Sequence, residues 1–197
     1  MSTPPPGRRE RNKLQKLERI TAAASELFDR HGIDEVTTQQ IADAADIGTG
    51  TLFLYARTKA ELLLLVQNAH YAEAIETGLA AAPRADSPLD AIMTLIDPVV
   101  ACNRRQVENG RSYLRELVFG DPEEPHHRAG LELIQRLDDA FVDVLRTVPG
   151  VDDRAAAVLA RTISAAMFVT LSSPLNVSAG DDALSADIRE QVALLLR

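Results

Sequence analysis

The chain has a single cysteine, Cys102. A lone thiol closes no intramolecular disulfide and builds no multi-cysteine metal cage, so the reducing cytoplasm is the expected compartment. Aromatic residues are scarce, at 4% of 197. Uninterrupted apolar runs are short; Leu62 to Val66 is five residues, where a membrane span needs about 20. The N-terminus lacks the apolar stretch of a secretory signal. Secreted, membrane-spanning and collagen-like proteins are therefore not expected. What is present indicates a globular protein. Apolar residues make up 46%, too many for a disordered chain, and the length allows one or two modest domains with a sizeable core.

The net charge of −8 is unevenly spread. Arg8, Arg9, Arg11, Lys13, Lys16 and Arg19 face only Glu10 and Glu18 in the first 19 residues, for a local charge of +4. Residues 61–197 carry −9. An acidic average surface repels polyanions. A basic end can still attract them, because salt screens charges beyond roughly 8–10 Å. Arg8, Arg9, Arg11 and Lys13 could thus be a minor-groove arm or a solvated tail.

The whole chain reads as helix. Residues 1–7, with Pro4, Pro5 and Pro6, are expected to be a disordered tail. A helix from about Arg8 to Arg30 buries Ile20, Ala23, Ala24, Leu27 and Phe28, and Gly32 stops it. Thr37 and Gln40 form a capping box, with Val36 and Ile41 as the flanking hydrophobic staple. A short helix ends near Ala45, Asp46-Ile47-Gly48 turns, and a second short helix runs from about Thr49 to Tyr55. Thr58 and Glu61 open a longer helix reaching about Ala80. Ser87-Pro88 starts the next, with a kink expected at Pro98. Helices follow around Arg111–Phe119, from Gly130 to Leu145 after a loop to Pro125, from Asp153 to about Ser172, and through Leu184, Ile188, Val192 and Leu195.

The helix, tight turn and helix between Thr37 and Tyr55 can be a DNA-reading unit or plain bundle packing. Its composition favours the first. Thr49, Gly50 and Thr51 begin the second helix, and small residues there permit close approach to base edges. Tyr55, Arg57 and Lys59 follow, suited to phosphate contact.

Leu27-Phe28, Gly32, Thr37-Thr38, Ile41-Ala42, Ala45, Gly50-Thr51-Leu52, Tyr55, Lys59 and Glu61-Leu62-Leu63 resemble the signature of TetR-family transcriptional regulators, over roughly residues 15–66. The resemblance implies an all-α protein with a three-helix helix-turn-helix domain (8–66), joined by a connecting helix to a helical ligand-binding and dimerisation domain (67–197). It implies a homodimer that binds a double-stranded operator and is released by a small molecule. By position, Thr38 and Gln39 would meet phosphate and sometimes a base. Thr49, Gly50 and Thr51 would face bases, and Phe53, Tyr55 and Lys59 would face phosphate. The sequence departs from the pattern at Asp46, where glycine is usual, and at Gly48, Phe53 and Ala56, which stand for the usual Ser, Tyr and Phe.

The C-terminal half would supply pocket and dimer. Tyr71, Met93, Tyr113, Phe119, Phe141 and Phe168 are the bulky pocket candidates, and the scarcity of aromatics and buried charge favours a mostly apolar ligand. Ala157, Ala160 and Ser164, with Leu184, Ile188, Val192 and Leu195, could form half of a symmetric four-helix interface or an intrachain core. Cys102 reads as a small core residue. Glu123, Glu124, His126 and His127 have i,i+3 spacing, but Pro125 interrupts them and a second Glu-x-x-His is missing, so no metal or other cofactor is expected. No phosphate loop or nucleophile elbow suggests an enzyme. The alternatives are a helical adaptor that does not bind DNA and an all-helical metalloenzyme.

Overall fold

The computed structural model describes residues 7–197. The expected disordered tail, residues 1–7, thus lies outside the described residues except for Gly7, which precedes the first helix. Among the described residues there is no strand. The chain divides into two compact units between Val66 and Gln67.

In the first unit, α1 spans Arg8–Glu35 and is broken at Gly32 (φ 75°, ψ 158°). A β-carbon disfavours that backbone, which is why glycine stands there. Ile20, Ala24 and Phe28 recur at helical spacing and are buried, so one face of α1 supplies the core. The short helix α2 (Thr38–Ala44) starts on the expected capping box. Thr37 Oγ1 accepts the Gln40 amide at 3.2 Å, and Gln40 Oε1 accepts the Thr37 amide at 2.8 Å. It ends in a Schellman closure: the Ile47 amide bonds the Ala42 carbonyl (3.0 Å) and the Asp46 amide bonds that of Asp43 (3.1 Å). Such an ending needs a left-handed residue, and Asp46 takes it at φ 52°. Here α3 (Thr49–Leu52) is a single turn, shorter than expected. The Tyr55 and Ala56 amides still reach the Leu52 carbonyl, at 2.9 and 3.2 Å, so turn bonds carry the chain on. Ile41, Ala42, Ala45, Leu52 and Ala56 are buried beside the α1 residues. The long helix α4 (Lys59–Ala81) opens with Thr58 Oγ1 accepting the Glu61 amide at 3.0 Å. The Glu61 carboxylate accepts the Arg57 amide at 2.6 Å.

The second unit contains the rest of α4, then α5 (Pro88–Arg104), α6 (Val107–Phe119), α7 (Pro125–Leu145), α8 (Asp153–Ser172) and α9 (Asp181–Leu195), with 3-10 turns at Ala82–Arg84 and Pro174–Asn176. Ser87 caps α5 as expected, and the helix continues through Pro98 one backbone donor short. Two starts come earlier than expected, because unusual residues cap them. Gln106 accepts the Asn109 amide (2.8 Å) and Glu124 accepts that of His127 (2.6 Å). The helix α8 is long and apolar enough, by length and composition, to cross a membrane. It packs instead among α6, α7 and α9, and α5 lies against α6, α7 and α9. Between α5 and α6 the approach is closest at Gly110, where an added β-carbon would stand 2.1 Å from the Asn103 carbonyl oxygen.

This packing corrects the expected dimer surface. Ala160, Ser164, Leu184, Ile188 and Val192 are buried within the chain itself, and Leu195 is half-buried. The apolar stripe of α9 closes an intrachain core, since α9 runs along α5 and α8. Of the proposed interface residues only Ala157 is exposed. The outward side of α8 carries Ala157, Val158, Thr162, Ala165 and Val169, and α9 exposes Leu194.

Candidate functional site

The first unit displays its polar residues outward on α2 and α3. Gln39 links the two helices: its Nε2 donates to Asp43 Oδ1 (2.7 Å) and its Oε1 accepts the Thr49 hydroxyl (2.7 Å). Thr38, Thr49 and Thr51 are half-buried, and Gln39 and Gly50 are exposed. A β-carbon at Gly50 would meet nothing within 4 Å, so a flat, open tip stands over the buried Leu52. Phe53 and Leu54 are 43% and 83% exposed. Leu54 is a surface candidate that the sequence reading missed; its signal is an apolar side chain beside a polar tip.

The flanks are basic. The Tyr55 hydroxyl contacts the Lys13 carbonyl at 3.5 Å, and Lys59 Nζ donates to the Asp34 carbonyl at 3.2 Å. Arg9, Lys13, Lys16 and Tyr55 line one open groove. Arg8, Arg9, Arg11 and Lys13 are exposed on the first turns of α1, so they form a basic helix end and not an extended arm. The acid at the turn is partly answered: Asp46 pairs with Arg19 at 3.5 Å, both exposed.

Residues 20–66 match the model of the bacterial regulatory proteins of the tetR family. That segment of the chain is similar to the tetR family. The HTH-type transcriptional regulator TcmR of Streptomyces glaucescens is 27% identical over 155 residues, 79% of this chain and 63% of TcmR; the chain thus spans less than two thirds of that curated relative. A TetR regulator from Rhodococcus sp. RHA1 superposes with a TM-score of 0.71 at 18% identity, covering 93% of this chain and 97% of its own. Thermus thermophilus FadR, a TetR-family repressor solved with lauroyl-CoA, gives 0.69 at 24% identity, covering 91% and 92%. At these identities the likeness is one of fold.

Inside the second unit, polar groups are bonded in pairs. The Asn103 amide donates to the Tyr71 hydroxyl at 2.7 Å, and the Tyr113 hydroxyl donates to Asn68 Oδ1 at 2.8 Å. Asn68 Nδ2 in turn donates to the His126 carbonyl at 2.8 Å. The two tyrosine rings lie 4.4 Å apart, tilted by 43°. Burial, reinforced by Cys102, holds both phenols protonated far above the usual tyrosine range. Cys102 itself is half-buried, short of the full core burial expected. Asn103 Oδ1 has no partner.

Tyr71, Tyr113 and Phe168 line a narrow apolar cavity of about 10 Å³ with Ile75, Val99, Leu114, Leu117, Leu133, Ile134, Leu137, Met167 and Leu171. That space holds about one water. Three pocket candidates do not line it, and of these Met93 and Phe141 are buried elsewhere in the core. Phe119 is 82% exposed, because α6 ends there. It lines an open groove of about 380 Å³ between α6 and α8. Among the described residues no three His, Cys, Asp or Glu side chains converge as metal ligands. Glu124 caps α7, and neither ring nitrogen of the buried His127 has a partner.

Proposed function

We propose that this chain is a cytoplasmic, ligand-responsive DNA-binding regulator of the TetR family, a repressor that binds a palindromic operator as a homodimer and is released by a small, mostly apolar molecule. It acts by binding and not by catalysis. The observation that carries the reading is the α2–α3 surface: an open Thr49-Gly50-Thr51 tip, tied through Gln39 to α2 and backed by buried Leu52. On this reading Thr49, Gly50 and Thr51 face bases. Thr38, Gln39, Phe53, Tyr55 and Lys59 meet the backbone, with Arg9, Lys13 and Lys16 beside them.

Two tips in a dimer would address major-groove faces about 34–36 Å apart, or further on a longer site. The second copy would cover the outward side of α8 from Ala157 to Ala165, short of Val169, with Leu194 of α9. Release would pass through α4, a continuous helix from Lys59 to Ala81. Asn68 and Tyr71 on that helix hold α6, α7 and α5 by the hydrogen bonds described. A ligand that parts the Tyr71–Tyr113 pair would compete with those bonds and favour a second position of α4. A complete switch from 1:99 to 99:1 needs about 5.5 kcal/mol of differential affinity.

Selection from random duplexes with effector-free protein tests this in one step. Enrichment of a two-fold symmetric motif is the expected outcome. Recovery of no motif at low ionic strength, from a protein shown to be folded, would falsify DNA reading and leave the adaptor.

A further inference from the structure

The groove and the cavity of the second unit share two residues, Leu114 of α6 and Phe168 of α8. The cavity alone is too small for an effector, and ligand sites usually occupy about 300–1,000 Å³. The groove alone reaches that range and is walled by apolar side chains that water should not meet. Val118, Phe119 and Val169 are 60%, 82% and 68% exposed. The same groove holds Glu108, Arg111 and Arg115. Arg111 is committed: it donates to the Ser172 carbonyl (3.2 Å) and pairs with Glu108 (3.3 Å). Arg115 is exposed and has no such partner among the described residues. The groove therefore offers an uncompensated cation beside an apolar wall, and no charged residue lines the cavity behind that wall.

We propose that groove and cavity are two compartments of one site for an anionic amphiphile, with Leu114 and Phe168 as the partition between them. The ligand's acidic head sits at Arg115 in the groove. Its apolar tail passes the partition when the half-buried Phe168 ring swings aside, and enters between Tyr71 and Tyr113. The opposite orientation would strip a charge of water with no counterion inside. This deepens the reading of the second unit as an effector domain and rests on it.

Calorimetry on the full chain, without DNA, reads the proposal separately from operator binding. Wild-type protein is titrated with butanoate, hexanoate, decanoate and 1-decanol. Affinity for the acids should climb by up to about fourfold per buried CH₂. Decanoate should bind about fivefold tighter than 1-decanol, and Arg115→Gln should erase that preference. Phe119→Ser should weaken decanoate and leave the oligomeric state in sedimentation unchanged. Indifference to chain length, equal affinity for acid and alcohol, or an Arg115→Gln variant that still prefers the acid each overturns the proposal. So does a Phe119→Ser variant that becomes monomeric with decanoate affinity intact, which would make the groove a contact between copies. A selected operator motif alongside no decanoate binding would sink the amphiphile alone. Decanoate binding without any motif would sink the DNA reading alone.

Discussion

The two units of this protein put their polar chemistry in opposite places. In the first, Gln39, Thr49 and Gly50 stand outward over a small apolar core, and their hydrogen bonds run between surface side chains. In the second, Asn68, Tyr71, Asn103 and Tyr113 are bonded to each other inside. A surface that reads a polymer must keep its donors and acceptors within the polymer's reach, even where they bond each other in its absence. An interior that answers a small molecule can hold its own paired until the ligand arrives, because an unpaired buried polar group costs about 1–3 kcal/mol.

The same substitution in the two units breaks this comparison most sharply. Gly110→Ala forces a β-carbon against the Asn103 backbone and should cost about 2–3 kcal/mol in denaturant unfolding. Gly50→Ala meets open space and should hold or raise stability by up to about 1 kcal/mol, since alanine favours helix, while weakening operator binding. A Gly50→Ala protein that unfolds as readily as Gly110→Ala would erase the distinction.

Next in size are contacts to DNA. Thr49→Ala and Thr51→Ala should each shift the selected motif, at a cost of about 1 kcal/mol on the preferred site. Lys59→Ala should lower affinity for all sequences alike and reduce the slope of log affinity against log salt by about one. An unchanged slope would remove Lys59 from the backbone contacts.

A smaller effect is expected at Asp46. Its left-handed backbone suits glycine, the residue usual at this turn in the family. Asp46→Gly should change stability by no more than about 1 kcal/mol, and tighten DNA binding at low salt more than at high salt. Identical affinity at both salts would show that the Arg19 contact already cancels the acid.

The smallest effect concerns Asp138. Burial raises its carboxyl above the ordinary range, and a hydrogen bond from Ser164 only partly offsets this. A folded-state value above the unfolded one makes the ionised acid unfavourable in the fold. Stability should therefore fall as pH rises from the ordinary carboxylate value through the raised one. Asp138→Asn should raise the melting temperature at neutral pH and lose that advantage in acid. A gain that persists at low pH would point to packing and not to charge.

What could be read in advance follows the same division. The first unit is built of local signals at short spacing: the Thr37–Gln40 box, the stop at Gly32 and the turn at Asp46. Each is decided by neighbours within a few residues. The end of α3 was misjudged, because isolated turn bonds past Leu52 look like helix in a sequence. In the second unit helix number and order were legible. The starts of α6 and α7 were not, because Gln106 and Glu124 are uncommon caps. That Ala160, Ser164, Leu184, Ile188 and Val192 are buried within the chain has a deeper reason. An apolar stripe on α9 is the same pattern whether it meets a partner or α5, and only packing decides. Met93 and Phe141 fell to the same ambiguity, since a bulky residue in a core and one lining a cavity obey the same periodicity.

One further property comes from the ring pair beside the cavity. The protein has three tyrosines and no tryptophan, and two of the three chromophores, Tyr71 and Tyr113, face each other at 4.4 Å. Intrinsic ultraviolet emission therefore comes largely from one tilted pair. An effector wedged between those rings would announce itself as a change in tyrosine fluorescence, with no added dye and no indole signal to mask it.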